Sequence, residues 1–323
     1  MNAFEWVETT TLADVLGALR PGAQIKAGGV DMMDLMKEGI AQPDRLVNIR
    51  RVKGLDRIAQ SERGLVLGPT VSLAKVASDP VVGAGYRAIA EAAGHAATPQ
   101  IRNMATLGGN LLQRPRCWYF RSEAFHCKKK GGTMCYAQMG ENQYHAIFDN
   151  HTCAIVHPSA LATALVAFGA KIQLTTAEGA RETPLESFFV LPEASPMREN
   201  LIAPGEVLTE VRVPSAAGLT SAYTKQGELE SHDWPLAEVA VVLEKKGDTI
   251  ARASVVLGAA APVPHRAKEA EAALTGKTLT ETVAREAARA AVAGATPLAN
   301  NKYKVPMFEA LIRRTILRAG GVS

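Results

Sequence analysis

The sequence lacks a long apolar segment and a strong excess of charge. Its longest apolar stretch, residues 160–170, is about half of the roughly 20 residues that a membrane-spanning helix needs. Residues 1–6 lack the basic and apolar regions of an export signal, so we expect a cytoplasmic protein, or a periplasmic one carried by an exported partner. The net charge of +4, from 36 basic and 32 acidic residues, is too small and dispersed to predict nucleic-acid binding.

Common catalytic and nucleotide-binding signatures are also absent. No G-x-G-x-x-G follows a predicted strand and no G-x-x-x-x-G-K-[ST] occurs, which excludes the Rossmann and P-loop classes. No H-E-x-x-H, Ser-His-Asp set or convincing carboxylate pair is present. With 323 residues, 47% of them hydrophobic, the chain is long enough for two domains. We therefore expect a chain that carries cofactors without an acid–base site of its own.

Two glycine-rich segments each adjoin a predicted helix. A strand at 24–27 leads through Gly28-Gly29 into a helix at 31–38, which Gly39 is placed to end. The second segment, 106–110, reads T-L-G-G-N and looks like a turn rich in hydrogen-bond donors. Unpaired N–H groups and the helix dipole favour an anion. The two segments are predicted to hold the phosphates of one dinucleotide, with ligand-free turns as the alternative.

Elsewhere the pattern predicts an α+β chain. In the first part, strands are expected at 4–7, 45–49, 65–67, 171–176 and 207–213, and helices at 12–19, 72–78, 81–93 and 159–168. A small-residue linker at 215–218 then sets off a C-terminal part. That part is predicted to form a three-stranded sheet with helices on one face, from strands at 221–226, 236–243 and 250–257 and helices at 264–274, 280–293 and 302–317.

All four cysteines fall within residues 113–153. From 113 to 152 the sequence shows neither helix nor strand periodicity. The cysteines are Cys117, Cys127, Cys135 and Cys153. Buried structural thiols, two disulfides and a metal site are the possible roles. Zinc sites usually contain C-x₂₋₄-C pairs, which are missing here, whereas a [4Fe–4S] cluster tolerates wide, irregular spacing. The spacing therefore favours the cluster over zinc.

Basic residues surround these cysteines. The segment contains Glu123 beside six cationic side chains: Arg114, Arg116, Arg121, Lys128, Lys129 and Lys130. We expect these cations to offset the negative charge of a cluster bound by four thiolates. The histidines nearby are potential ligands too: His126, His145, His151 and His157. With four cysteines available we expect surface or supporting roles for all of them, and His126 is singled out because it adjoins Cys127.

The glycine-rich segments resemble a known family. K-A-G-G-V-D-M at 26–32 and Q-I-R-N-M-A-T-L-G-G-N at 100–110 are similar to the two FAD-binding turns in the flavin subunits of molybdenum hydroxylases, the xanthine dehydrogenase family. G-A-A-A-P at 258–262 with H-R-A at 265–267 resembles that family's C-terminal domain. The resemblance implies a two-subdomain FAD-binding fold of the vanillyl-alcohol-oxidase type over 1–215, with an insertion at about 113–153, and a CO-dehydrogenase-flavoprotein-like domain over 216–323.

The cysteine segment narrows the resemblance. Residues 111–121 and 153–159 look like the insertion in flavin subunits of aldehyde oxidoreductases and 4-hydroxybenzoyl-CoA reductases, which hold a [4Fe–4S] cluster beside FAD. Carried over, this implies four cysteine ligands to the cluster. The FAD-binding residues implied by the family are Lys26, Ala27, Gly28, Gly29, Val30, Asp31, Met32, Thr106, Gly108, Gly109, Asn110, Leu208 and Lys225.

The family also implies partners. A large subunit would hold the molybdenum cofactor and oxidise an aldehyde or an aromatic or N-heterocyclic substrate, and a small subunit would hold two [2Fe–2S] clusters. This chain would pass electrons between those clusters and an external acceptor such as NAD, ferredoxin or a quinone. The alternatives are a flavin subunit of a 4-hydroxybenzoyl-CoA-reductase type of enzyme and a stand-alone FAD oxidase with a structural zinc loop.

Overall fold

A computed structural model describes residues 1–229 and 232–322. Its strands are β1 (Glu5–Glu8), β2 (Ala23–Lys26), β3 (Arg45–Asn48), β4 (Ile58–Ser61), β5 (Gly64–Leu67), β6 (Lys171–Thr176), β7 (Gly179–Pro184), β8 (Val207–Pro214), β9 (Leu219–Gln226), β10 (Ala237–Lys246), β11 (Thr249–Gly258) and β12 (His265–Arg266). Its helices are α1 (Leu12–Ala18), α2 (Val30–Lys37), α3 (Leu73–Ser78), α4 (Pro80–Gly85), α5 (Arg87–Gly94), α6 (Pro99–Met104), α7 (Leu107–Leu112), α8 (Trp118–Arg121), α9 (Ala160–Ala167), α10 (Lys268–Leu274), α11 (Glu281–Val292) and α12 (Lys304–Gly320).

The strands form three sheets. A small parallel sheet has the order β1-β3-β2, and α1 and α2 supply the crossovers that parallel pairing requires. An antiparallel sheet has the order β4-β5-β8-β6-β7, and the C-terminal sheet has the order β12-β11-β10-β9. The chain therefore has the α+β composition that the sequence predicts.

Helix α9 joins the first part of the chain to the C-terminal sheet. Every one of its residues is buried, as expected for a helix that is apolar on all sides. It packs against α5 and α7 and against β10 and β11. Inward-facing residues of the C-terminal sheet, Tyr223, Ala240, Val242 and Val256, belong to the same core cluster as α9. On its other face this sheet packs against α10 and α12, and α11 packs against those two helices.

Several local predictions are confirmed and several are wrong. Thr11 and Asp14 form the expected capping box, and Gly39 follows α2 with φ +71°. The helix predicted at 81–93 is two helices, because the backbone turns at Tyr86, whose hydroxyl is anchored to Pro214 O at 3.2 Å. The C-terminal sheet has a fourth strand, β12, which is only two residues long. Because β12 occupies residues 265–266, the helix predicted at 264–274 begins at 268 instead, as α10.

The segment 113–152 contains α8 and single 3₁₀ turns at 128–130 and 136–138, which were too short to show periodicity. Within the described residues, no helix combines the length and apolar character needed to cross a membrane.

Candidate functional site

A cleft of about 800 Å³, here called the glycine cleft, lies between the two glycine-rich segments. The thirteen residues expected to contact the dinucleotide all line it: Lys26, Ala27, Gly28, Gly29, Val30, Asp31, Met32, Thr106, Gly108, Gly109, Asn110, Leu208 and Lys225. The chain thus brings together residues up to 199 positions apart in sequence, counted from 26 to 225. Both glycine-rich segments meet at one site.

The first segment presents unpaired backbone donors. Gly29 is the N-cap of α2 with φ +83°, a conformation that favours glycine. The backbone N–H groups of residues 28–32 have no hydrogen-bond partner among the described residues. A Cβ on Gly28 would lie 2.1 Å from Met104 O, so glycine is required where the two segments touch. This end of the cleft is built to accept an anion.

The second segment differs from its prediction. Residues 107–112 are helix α7, and Thr106 is its N-cap. The Gly109 N–H donates to Thr106 Oγ at 3.2 Å and the Gly108 N–H to Pro69 O at 2.8 Å. The expectation of a turn rich in free backbone donors is wrong, because helix capping and packing use them. Polar side chains remain here, those of Thr106 and Asn110, and Asn110 Oδ1 accepts from Ser159 Oγ at 2.6 Å.

Cationic side chains border the cleft. Lys26 Nζ lies 5.1 Å from the centre of the Trp6 ring, and burial together with the nearby Arg50 lowers the pKa of Lys26. Lys225 Nζ donates to His95 O at 3.2 Å and to Asp233 O at 2.5 Å. Burial also lowers the pKa of Lys225. Its ammonium group therefore fixes the backbone at the cleft wall, while Leu208 supplies buried apolar surface.

Asp31 lies at the cleft but directs its carboxylate toward the cysteine segment. It accepts hydrogen bonds from the Arg114 N–H at 2.9 Å and from Arg121 Nη2 at 2.8 Å, and it also pairs with Arg116. Burial raises the pKa of Asp31, and the Arg114 N–H and Arg121 act in the opposite direction. Hydrogen bonds and ion pairs of Asp31 thus connect helix α2, whose N-terminus borders the glycine cleft, to the cysteine segment.

Glu199 makes a second connection of this kind. Lys129 Nζ, on a nearly inaccessible side chain, lies 2.8 Å from Glu199 Oε1, and Arg114 Nη2 lies 3.0 Å from the same oxygen. Burial raises the pKa of Glu199, but Lys129 and Arg114 outweigh it and hold that pKa below its ordinary value. Four of the cations that we expect to offset a cluster pair with acidic residues outside the segment: Arg114, Arg116, Arg121 and Lys129.

The four cysteines line one small cavity, here called the cysteine cavity. Its other walls include Tyr119, Phe120, Tyr136, Lys128, Lys129, His145 and Ile155. All four cysteines are free thiols, so the disulfide alternative has no support. No group of three or more His, Cys, Asp or Glu side chains within 1–229 and 232–322 is arranged to hold a single metal ion. What the four cysteines share is this one cavity, and four thiols around one space are what a cubane cluster requires.

The thiols differ in their surroundings. Burial raises the pKa of Cys117 to about 12. A hydrogen bond from Cys153 lowers the pKa of Cys135 to about 6, and the same bond, aided by burial, raises that of Cys153 well above its ordinary value. A hydrogen bond thus links Cys135 and Cys153, and ligation of both sulfurs by a metal would displace their thiol protons.

Family models match nearly the whole chain. Residues 2–216 match the FAD binding domain in molybdopterin dehydrogenase, and residues 222–319 match the CO dehydrogenase flavoprotein C-terminal domain. The chain belongs to the FAD-binding subunits of the molybdenum hydroxylase family. The region that matches the FAD binding domain contains both glycine-rich segments of the glycine cleft.

Individual relatives agree with this membership. The aldehyde oxidoreductase FAD-binding subunit PaoB of Escherichia coli (strain K12) is 33% identical over 327 residues, which cover 99% of each chain. The carbon monoxide dehydrogenase medium chain of Hydrogenophaga pseudoflava is 29% identical over 94% of this chain and 91% of that one. A solved structure of carbon monoxide dehydrogenase from the same organism superimposes with a TM-score of 0.77 and 28% identity, covering 99% and 98% of the two chains. These relatives are oxidoreductase subunits.

Two groups of this flavin subunit were undervalued by sequence reasoning: His145 was only one of four histidines near the cysteines, and Glu238 was not found. His145 Nε2 lies 3.2 Å from Cys117 Sγ, whereas His126, the histidine singled out from sequence, is exposed. Burial and Lys304 lower the pKa of His145 to about 4. The second group is Glu238 at the glycine cleft, fully buried, whose Oε1 accepts from Tyr223 OH at 2.6 Å. Burial raises the pKa of Glu238 to about 7.

Proposed function

We propose that this chain is the FAD- and [4Fe–4S]-containing electron-transfer subunit of a heterotrimeric molybdenum hydroxylase. Electrons would come from two [2Fe–2S] clusters of a small subunit, which receive them from a molybdenum-containing large subunit. The chain would deliver them to an external acceptor such as NAD, ferredoxin or a quinone. Four free cysteines around one cavity beside the glycine cleft are the single observation that supports this proposal most strongly.

The residues proposed to hold the two cofactors follow from their surroundings. Unpaired N–H groups of residues 28–32 would bind the FAD diphosphate, with Lys26 providing positive charge. Thr106 and Asn110 would approach it with side-chain groups, while Leu208 and Lys225 would border the adenine or the flavin. Cys117, Cys127, Cys135 and Cys153 would ligate the cluster. The cluster would supply one-electron steps, which a two-electron flavin needs to exchange with one-electron carriers.

We propose an aldehyde as the substrate class of the complex. The support is the 33% identity with an aldehyde oxidoreductase subunit over 99% of each chain. Substrate oxidation itself would occur on the large subunit, since the glycine cleft offers no acid–base pair beyond the Glu238–Tyr223 contact in the described residues. We assign the complex to the cytoplasm, where free thiols persist; cell fractionation tests this assignment.

Purification of the tagged chain from its native host tests the proposal. We expect it to retain a molybdenum-containing large subunit and a small iron–sulfur subunit, and anaerobic addition of an aldehyde should bleach its flavin. Omission of the aldehyde, or its replacement by the corresponding carboxylic acid, is the matched control. A chain that purifies alone and reduces its flavin with substrate would be a stand-alone oxidase, which would overturn the proposal.

A further inference from the structure

His145 lines the cysteine cavity and contacts one of its four cysteines. Its Nε2 lies 3.2 Å from Cys117 Sγ, within hydrogen-bonding distance of the sulfur. The residue is 3% exposed, so water does not compete for this contact. The other ring nitrogen, Nδ1, is buried and has no hydrogen-bond partner in the described part of the chain.

The C-terminal part of the chain fixes this imidazole. The His145 carbonyl accepts from Asn301 Nδ2 at 3.0 Å and from Lys304 Nζ at 3.1 Å, and both donor residues are fully buried. The ring is held edge-on against Trp118, with centroids 5.5 Å apart. Backbone anchoring and ring packing therefore leave the ring little freedom to turn away from Cys117.

The tautomer follows from these surroundings. A proton on Nδ1 would be buried without an acceptor, which is costly, whereas a proton on Nε2 points at the sulfur. Doubly protonated imidazole would also donate from Nε2. In either protonation state the group that meets a ligating thiolate is an N–H donor.

We propose that His145 donates a hydrogen bond from Nε2 to the Cys117 thiolate when that thiolate ligates the iron–sulfur cluster, and that this bond raises the cluster's reduction potential. This inference rests on the proposed [4Fe–4S] site. Reduction adds one electron and no proton, so a cluster with four thiolates becomes more negative by one charge. A donor to sulfur stabilises the more negative state and therefore favours reduction. His145 is thus a positioning residue for electron transfer, and Asn301 and Lys304 of the C-terminal part anchor its backbone.

Variants at position 145 in the purified complex test the inference. The Nε2 of glutamine can reach the place of the imidazole Nε2, whereas the shorter asparagine places its amide nitrogen near that of Nδ1. Redox titration followed by electron paramagnetic resonance should give His145→Gln a potential close to the unsubstituted protein. His145→Asn should have a potential that is more negative by about 59 mV. For one electron this shift is about a tenfold change in the ratio of reduced to oxidised cluster. His126→Asn, at the exposed histidine beside Cys127, is the control and should leave the potential unchanged.

Two results would overturn the inference. Equal potentials for His145→Gln and His145→Asn, both with full iron content, would show that the donor has no effect on the cluster. A check that needs no variant uses ¹⁵N-labelled histidine, which should give a weak hyperfine coupling to the reduced cluster. The absence of a coupling, or the strong coupling of a directly ligated nitrogen, would contradict the proposed hydrogen bond. Absence of iron from the unsubstituted protein would instead refute the proposed cluster, so the two failures are distinguishable.

Discussion

The Asp31 carboxylate accepts a hydrogen bond from Arg121 Nη2 at 2.8 Å, and this contact joins the glycine cleft to the cysteine segment. Asp31 is in the first turn of α2, whose N-terminus opens onto the cleft. Arg121 ends α8, four residues after Cys117. With Arg114 and Arg116 also bound to Asp31, the two proposed cofactor sites share one buried ion-pair network.

Replacement of Asp31 should disturb both sites. Asp31→Ala leaves Arg116 and Arg121 without this carboxylate in a mostly buried place, and removal of one partner from a buried ion pair costs about 3–5 kcal/mol. We expect the free energy of unfolding in urea to fall by up to that amount, and the FAD and iron contents to fall together. Asp34→Ala, at an exposed aspartate on the same helix, is the control. A variant that keeps full FAD while it loses iron would show that the network supports only the cysteine segment.

Loss of a single cysteine should have a narrower effect. Cys127 packs against Leu35 and Phe120 at the cysteine cavity and takes no part in the Asp31 network. Cys127→Ser is therefore expected to remove the cluster but to retain FAD. Iron can be measured by mass spectrometry and flavin by absorbance after release. Proportional loss of both would mean that the cluster organises the flavin site.

Charge at the first glycine segment should exclude the flavin. Gly29→Asp places a carboxylate at the end of the cleft proposed for the diphosphate, where the two anions repel each other. Gly29→Asn is the uncharged control, since asparagine is similar in size to aspartate. Asparagine also tolerates the φ of +83° better than most residues. We expect little FAD in the aspartate variant and considerably more in the asparagine variant. Equal FAD contents in the two variants would contradict this placement of the diphosphate.

The stability of the protein should fall between about pH 4.5 and pH 7 because of Glu238. Burial raises its pKa from 4.5 to about 7 in the folded state, so the folded protein binds more protons than the unfolded one in this interval. Stability from this group is therefore present below pH 4.5 and is lost as the pH rises through 7. Glu238→Gln should be more stable than the unsubstituted protein at pH 8, by about 3 kcal/mol, and similar at pH 4. Urea unfolding at both pH values measures the difference, with Glu244→Gln on the same strand as the control; equal differences at the two pH values would argue against a raised pKa.

The regular elements could be predicted where local chemistry decides them. The capping box at Thr11 and the glycine that ends α2 act within a few residues, and α9 is apolar enough to be buried wherever it packs. The break at Tyr86 is not visible in the apolar pattern; in the structure the Tyr86 hydroxyl donates to Pro214 O, 128 positions away in the sequence. The two-residue strand β12 is too short to leave a pattern.

The candidate site was predictable to a similar degree. The glycine-rich segments and the clustered cysteines are visible as composition, and the chain brings each set to one place. What the side chains contact was not visible. The six cations look like partners for a cluster until Asp31 and Glu199, remote in sequence, are placed beside four of them. His145 lies 28 positions from Cys117, and nothing in the sequence separates it from the other histidines near the cysteines. Adjacency to Cys127 favoured His126, which is exposed.

The metal and flavin content of the anaerobically purified chain tests the central claim most directly. Our account predicts one FAD and about four iron atoms per chain, with a paramagnetic signal of a reduced [4Fe–4S] cluster after addition of dithionite. Zinc in place of iron, or a chain with FAD and no metal, would contradict it.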